Sequence, residues 1–163
     1  MAKHFLPYPM NKTAGVEMSD EKILGIVRDF IKALVARDVG KALSFFAEDG
    51  DWTNTAGVFK GKDELRRYLK WASSISENVT ATEYGNGVII QGDKAFIEQM
   101  ITFTVMGKRV EYVEIVAWEF DGDKIKRIRT VSDRLLIAQQ AAKGWLPKWM
   151  VKSIINQFNK GLH

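Results

Sequence analysis

The chain reads as an α+β domain, with helices leading, an antiparallel meander of strands following, and further helices at the end. Three observations predict this. Between Ser19 and Ile75 most apolar residues recur at three- and four-residue spacing, the period of a helix with one buried face. From Thr80 to Val131 the period falls to two, and β-branched and aromatic residues dominate. That stretch is punctuated by glycine-bearing turn signals. Helices segregated from a meander predict packing over one face of a strongly bent sheet, whose concave side becomes a mostly apolar pocket.

Each element follows from local chemistry. Ser19-Asp20-Glu21 offers a helix cap before Ile23, Ile26, Val27, Phe30, Ile31, Leu34 and Val35, so an amphipathic helix runs to about Arg37. After Asp38-Val39-Gly40 a short second helix carries Ala42, Leu43, Phe45 and Phe46, and Asp49-Gly50 ends it. Asp51–Asn54 and Val58–Lys60 flank Ala56-Gly57 and read as two short strands. Gly61 opens a third helix with Leu65, Tyr68, Leu69, Ala72 and Ile75 on one face and Asp63 and Glu64 in its first turn. Breaks at Gly85-Asn86-Gly87, Gly92-Asp93, Gly107-Lys108 and Asp121-Gly122-Asp123 punctuate four consecutive strands. Ser132-Asp133 caps a helix through Ala142, Gly144 closes it, and a last helix begins near Pro147.

With 163 residues, 46% of them hydrophobic and 27% charged, the chain suits a single core. The expected organisation is an N-terminal arm over 1–18, the α+β domain over 19–143 and an amphipathic helix over 144–163. Without cysteine there is no disulfide, thiol nucleophile or thiolate metal site, which suits a reducing cytoplasm. His4 and His163 stand at the two ends, so a histidine triad or a His-rich zinc site is not expected, and neither metal nor cofactor is called for. The first twelve residues hold no apolar run of signal-peptide type. Net charge is +4, but from Lys126 onward there are eight basic residues and one acid, so the basic excess is C-terminal. Scattered lysines over a slightly acidic body exclude nucleic acid as the default partner.

The run Phe45-Phe46-Ala47-Glu48-Asp49-Gly50-Asp51-Trp52-Thr53-Asn54, followed by Gly57, Gly61 and Leu65, resembles the opening of SnoaL-like members of the NTF2-like superfamily. Trp118-Glu119-Phe120-Asp121-Gly122-Asp123-Lys124-Ile125 resembles their late-strand signature. The resemblance spans roughly Ser19 to Asp133 and implies the cone-shaped fold of that superfamily, a small hydrophobic ligand, and a homodimer built through the exposed sheet face. It is specific for fold and not for function. Limonene-epoxide hydrolases have a Tyr-x-Asn pair that Trp52-x-Asn54 resembles; their Arg-x-Asp pair and last-strand aspartate fall nearest Ile97, Gln99 and Thr130, so both carboxylates are missing. Ketosteroid isomerases are similar too, yet the place of their general base is again Asn54, which cannot take a proton.

Alternation supplies the candidate chemistry. Val110, Tyr112, Glu114, Val116, Trp118 and Phe120 share one face, where Glu114 is the one charge. A carboxyl among aromatics is an environment that tunes a general acid or base. Glu114 is therefore the leading catalytic candidate; the alternative is that it points outward to Arg127 or Arg129. Glu111 and Glu119 on the other face read as structural. On the preceding strand Ile97, Gln99 and Ile101 share a face opposite Glu98, and the resemblance favours Gln99 for the pocket, where its amide could serve a substrate oxygen. Asn54 shares a face with Trp52 and is the second catalytic candidate, its alternative being a turn cap beside Thr55. Ile101, Tyr112, Val116, Trp118, Ile128 and Thr130 complete the expected lining with Trp52 and Gln99. Asp133 reads as a cap, and Asp49 and Asp51 as turn residues. The last helix, with Trp145, Leu146, Trp149, Met150, Ile154, Ile155 and Phe158 beside Lys148, Lys152 and Lys160, is a basic amphipathic segment. It suits a lid or dimer contact, or alternatively a membrane surface. Function is left between an acid/base isomerase, cyclase or hydrolase and a noncatalytic hydrophobic-ligand or dimeric scaffold domain.

Overall fold

Residues 18–158 and 160 are described by a computed structural model. The arm before them and both histidines lie outside the described residues. Elements run in the order α1 (Asp20–Val35), α2 (Val39–Ser44), β1 (Phe46–Asn54), β2 (Gly57–Lys60), α3 (Gly61–Ile75), β3 (Glu77–Gln91), β4 (Lys94–Val105), β5 (Lys108–Asp121), β6 (Lys124–Ser132), α4 (Arg134–Ala141) and α5 (Trp145–Phe158). This is the α+β class expected from the pattern. One open, curved sheet of order β2-β1-β6-β5-β4-β3 holds all six strands. Every pairing is antiparallel except β1 with β6, which is parallel and closes the meander back onto the first strand.

Helices α1, α2 and α4 begin at side-chain caps. Ser19 Oγ accepts the Lys22 N–H, Asp38 Oδ1 accepts that of Lys41, and Asp133 Oδ1 accepts those of Leu135 and Leu136, so Asp133 is the cap its position suggested. Helix α1 buries Ile23, Val27, Phe30 and Ala33, a single stripe three to four residues apart. Phe30 stands at the centre of the core. Its ring meets Phe46 at 5.5 Å, Trp52 at 5.8 Å and Trp118 at 5.2 Å between centroids, in tilted or edge-on geometry.

Several expectations are corrected here. Phe46 does not belong to the second helix, and Asp49 and Asp51 are not turn residues: α2 ends at Ser44 and β1 begins at Phe46, running through Gly50. Gly50 is there because a Cβ at that position would lie 2.9 Å from the Ile125 carbonyl oxygen, so its role is close backbone approach across β1–β6 and not helix termination. Asp49 and Asp51 pair outward with Lys126 and Arg127. Likewise Gly85-Asn86-Gly87 does not separate strands. It is an irregularity inside β3, where the register with β4 shifts between Glu83 and Val88. The other three breaks are the hairpin turns.

The first half of β5, up to Val113, has no pairing with β6, and α4 covers that edge instead. Gln140 Oε1 accepts the Glu111 N–H at 2.9 Å and Gln140 Nε2 donates to the Glu111 carbonyl at 2.7 Å, so one side-chain amide substitutes for a strand partner. This fixes α4 against the sheet.

Candidate functional site

Register decides which side chains meet. Trp52 lies opposite Ile128 on β6, Ile128 opposite Trp118 on β5, Thr130 opposite Val116, and across to β4 Val116 faces Ile97, Glu114 faces Gln99 and Tyr112 faces Ile101. Because these partners share a face, Trp52, Asn54, Gln99, Ile101, Tyr112, Glu114, Val116, Trp118, Ile128 and Thr130 all lie on the concave side of the sheet. The structure brings together every candidate that the alternation singled out. Glu98, by the same parity, stands on the convex side.

Most of this face is packed apolar core: Trp52, Ile97, Ile101, Val116, Trp118 and Ile128 are buried. A polar cluster interrupts it at Glu114. Gln99, 5% exposed, donates from Nε2 to Glu114 Oε1 at 2.6 Å, so its amide serves the carboxyl first, before any substrate oxygen. Tyr112 Oη lies 3.5 Å from Glu114 Oε2, at the limit of a hydrogen bond. Neither arginine reaches this carboxyl. Arg127 and Arg129 bind Glu119 on the convex side, which removes the outward reading of Glu114 and leaves Glu119 in a structural ion-pair group.

Among the described residues the partners of Glu114 are neutral donors, and burial dominates and pushes its carboxyl above the usual carboxylate range, against the opposing pull of the hydrogen bonds from Gln99 and Tyr112. The same burial, reinforced by the Glu114 charge, pushes the phenols up: Tyr68 to about 12, and Tyr112 upward as well. The nearby Asn54 amide opposes the rise at Tyr68.

Asn54 does two things. Its Oδ1 accepts the Ala56 N–H at 2.8 Å, which is the turn cap foreseen as the alternative role, while its Nδ2 is buried without a hydrogen-bond partner among the described residues. An orphaned buried N–H costs about 1–3 kcal/mol, so it is a donor suited to a ligand oxygen or a water. Trp118 Nε1 is orphaned in the same way. Trp52 Nε1 instead donates to Thr130 Oγ1 at 3.0 Å, and that pair is internally satisfied. Among the described residues no group of three or more His, Cys, Asp or Glu could hold a metal ion.

Tyr68 is the participant that the sequence did not yield. On α3 it continues the stripe of Leu65 and Leu69 and reads as packing. In the structure its ring stacks on Phe59 at 4.3 Å and stands edge-on to Trp52 at 5.3 Å, with its hydroxyl in the field of Glu114. A tyrosine in an otherwise aliphatic helical stripe was the signal. Chemically, the cluster offers one proton-transfer group, Glu114, and hydrogen-bond donors around it, set in apolar walls.

Comparison with known proteins agrees with the architecture. The sequence profile of the SnoaL-like domain matches residues 27–128. Among solved structures, an NTF2-like protein from Burkholderia xenovorans superposes with a TM-score of 0.64 at 25% identity, over 77% of this chain and 99% of that one. A protein with a ketosteroid isomerase-like fold from Catenulispora acidiphila, in complex with trimethylamine, gives 0.66 at 18% identity, over 71% and 91%. An LEH-like epoxide hydrolase from M. tuberculosis gives 0.64 at 14% identity, over 83% and 97%. No curated protein matches the sequence.

Proposed function

The chain belongs to the SnoaL-like domain family, and from that premise we propose that it takes a small hydrophobic molecule onto the concave face of its sheet and acts on it as a cofactor-free acid/base isomerase, cyclase or hydrolase. One observation carries this reading: a carboxyl, Glu114, is held inside an apolar surround by Gln99 and Tyr112, with no cation paired to it among the described residues. Burial gives such a group a higher proton affinity than an exposed glutamate, which suits a general acid or base.

In the isomerisation form, ionised Glu114 takes a proton from a carbon next to a carbonyl. The C–H electron pair moves toward the carbonyl oxygen, where the Asn54 Nδ2–H supports the developing charge. The same proton then returns from Glu114 to a different carbon, so no oxidant, reductant or further reactant is consumed. The test is a screen of apolar enones and epoxides with the wild type and Glu114→Gln. The substitution should lower turnover about 10²–10⁴-fold while the protein stays folded. Undiminished turnover in Glu114→Gln would refute the acid/base assignment.

A noncatalytic binding domain is the second reading, and one observation favours it: Gln99 is an amide where the epoxide hydrolases of the resemblance have an aspartate, and Asn54 is an amide where the isomerases have their general base. It predicts no turnover in either protein and only a modest change in ligand affinity on Glu114→Gln. Homodimerisation is proposed as well. On the convex face Ile89, Phe96, Ile115 and Val131 are 50% exposed or more, the kind of apolar surface that a second copy covers. Light scattering should find a dimer that Phe96→Glu converts to monomer.

A further inference from the structure

The most one-sided feature outside the concave face is the C-terminal segment. The profile match ends at residue 128, and α5 lies beyond it. The last acid is Asp133. From there to the end the sequence holds Arg134, Lys143, Lys148, Lys152 and Lys160 and no acid, so this segment carries +5 while residues 1–133, with nineteen bases and twenty acids, sum to −1. None of these five cations forms an ion pair with another described residue, whereas the arginines of β6 are all engaged.

The apolar residues of α5 are turned outward to match. Trp149 is 62% exposed, Met150 52% and Ile154 44%, and they share one side of the helix. Val151 and Ile155 are half-buried on the other side of α5, and the helix rests against α4. Along the outward side Trp149, Lys152, Ser153, Asn156, Gln157 and Lys160 line a shallow groove. Two ammonium groups with a hydroxyl and two amides offer the hydrogen-bond donors that a phosphate headgroup requires, and an indole at the rim suits the boundary between headgroup and acyl chain.

We propose that α5 docks on an anionic bilayer surface, with its lysines on lipid headgroups and Trp149, Met150 and Ile154 in the interface. The helix lies on the membrane and does not cross it; among the described residues no helix is long and apolar enough to span. The charge decides for an anionic surface over a neutral one, since the segment has no acid to offset its cations.

Cosedimentation of the full chain with vesicles tests this. Binding is expected to vesicles of phosphatidylcholine with phosphatidylserine, to be absent with phosphatidylcholine alone, and to be released by salt. Lys148→Glu with Lys152→Glu should weaken binding by at least the roughly fivefold per lysine that lost attraction alone predicts. Trp149→Ser should weaken it several-fold without changing the salt dependence. Because these side chains are exposed, circular dichroism of each variant should match the wild type. Failure to sediment with anionic vesicles overturns the proposal, as does undiminished binding by the double lysine variant. If the same substitutions instead abolish self-association in the absence of lipid, the partner of α5 is a second copy of the chain and the membrane assignment fails.

Discussion

Glu114 and Glu119 lie five residues apart on β5 and face opposite sides of the sheet. Glu119, on the convex side, meets the Arg127 guanidinium at 3.3 Å and that of Arg129 more closely, and Arg127 in turn holds Asp51. Glu114, on the concave side, meets an amide and a phenol. Two guanidinium groups tie the Glu119 carboxylate into a surface ion-pair group. An amide and a phenol hold that of Glu114 in place while leaving its proton affinity high. One strand therefore presents two acids of the same type to different physics, and the partner, more than the residue, decides which can do chemistry.

The largest expected effect tests that contrast directly. Under the acid/base reading Glu114→Gln removes turnover, about 10²–10⁴-fold, and leaves stability within roughly a kcal/mol. Glu119→Gln should do the reverse. It leaves turnover within a factor of a few, takes from Arg129 its carboxylate and leaves Arg127 with Asp51 alone; both arginines are more than a third exposed, so solvent screening limits the loss to about 1 kcal/mol by thermal or urea unfolding. If Glu119→Gln lowers turnover as far as Glu114→Gln does, the faces are not functionally separate and the site has been misplaced.

Much of this contrast was legible in the sequence because alternation in β5 is unbroken. From Val110 to Phe120 each second residue is apolar except Glu114, and a regular strand carries that parity into three dimensions. Gln99 followed from the same rule on β4. What was not legible depends on distant parts of the chain. Phe46 follows Leu43 and Phe45 at helical spacing, and only its position opposite Ile125 across the parallel β1–β6 pairing makes it strand. Gly50 looks like a stop signal until the Ile125 carbonyl is placed beside it. Tyr68 reads as helix packing because it meets Trp52 and comes within the field of Glu114 through the fold and not through local spacing, and Gln140 sits on a helix with nothing to announce that it completes a strand edge.

The smallest effect sharpens the comparison most, because it reads proton affinity without needing a substrate. Burial raises the Glu114 carboxyl in the folded protein above its ordinary value of 4.5, which the unfolded chain retains. Between that value and the folded one the native state holds more protons than the unfolded state, so stability falls as pH rises through this window and is level beyond it. The contribution of Glu114 is fully present below about 4.5 and is lost as pH rises through its folded value. Other carboxylates titrate in the same range, Asp49 and Glu83 with folded values lowered by Lys126 and Arg28, and these act in the opposite sense. Measuring unfolding free energy against pH for the wild type and for Glu114→Gln, and subtracting, cancels them. The wild-type advantage should shrink as pH rises from acid toward neutral. A difference that stays flat across this range would mean that Glu114 is hydrated and ordinary, and its proposed role would lose its physical basis.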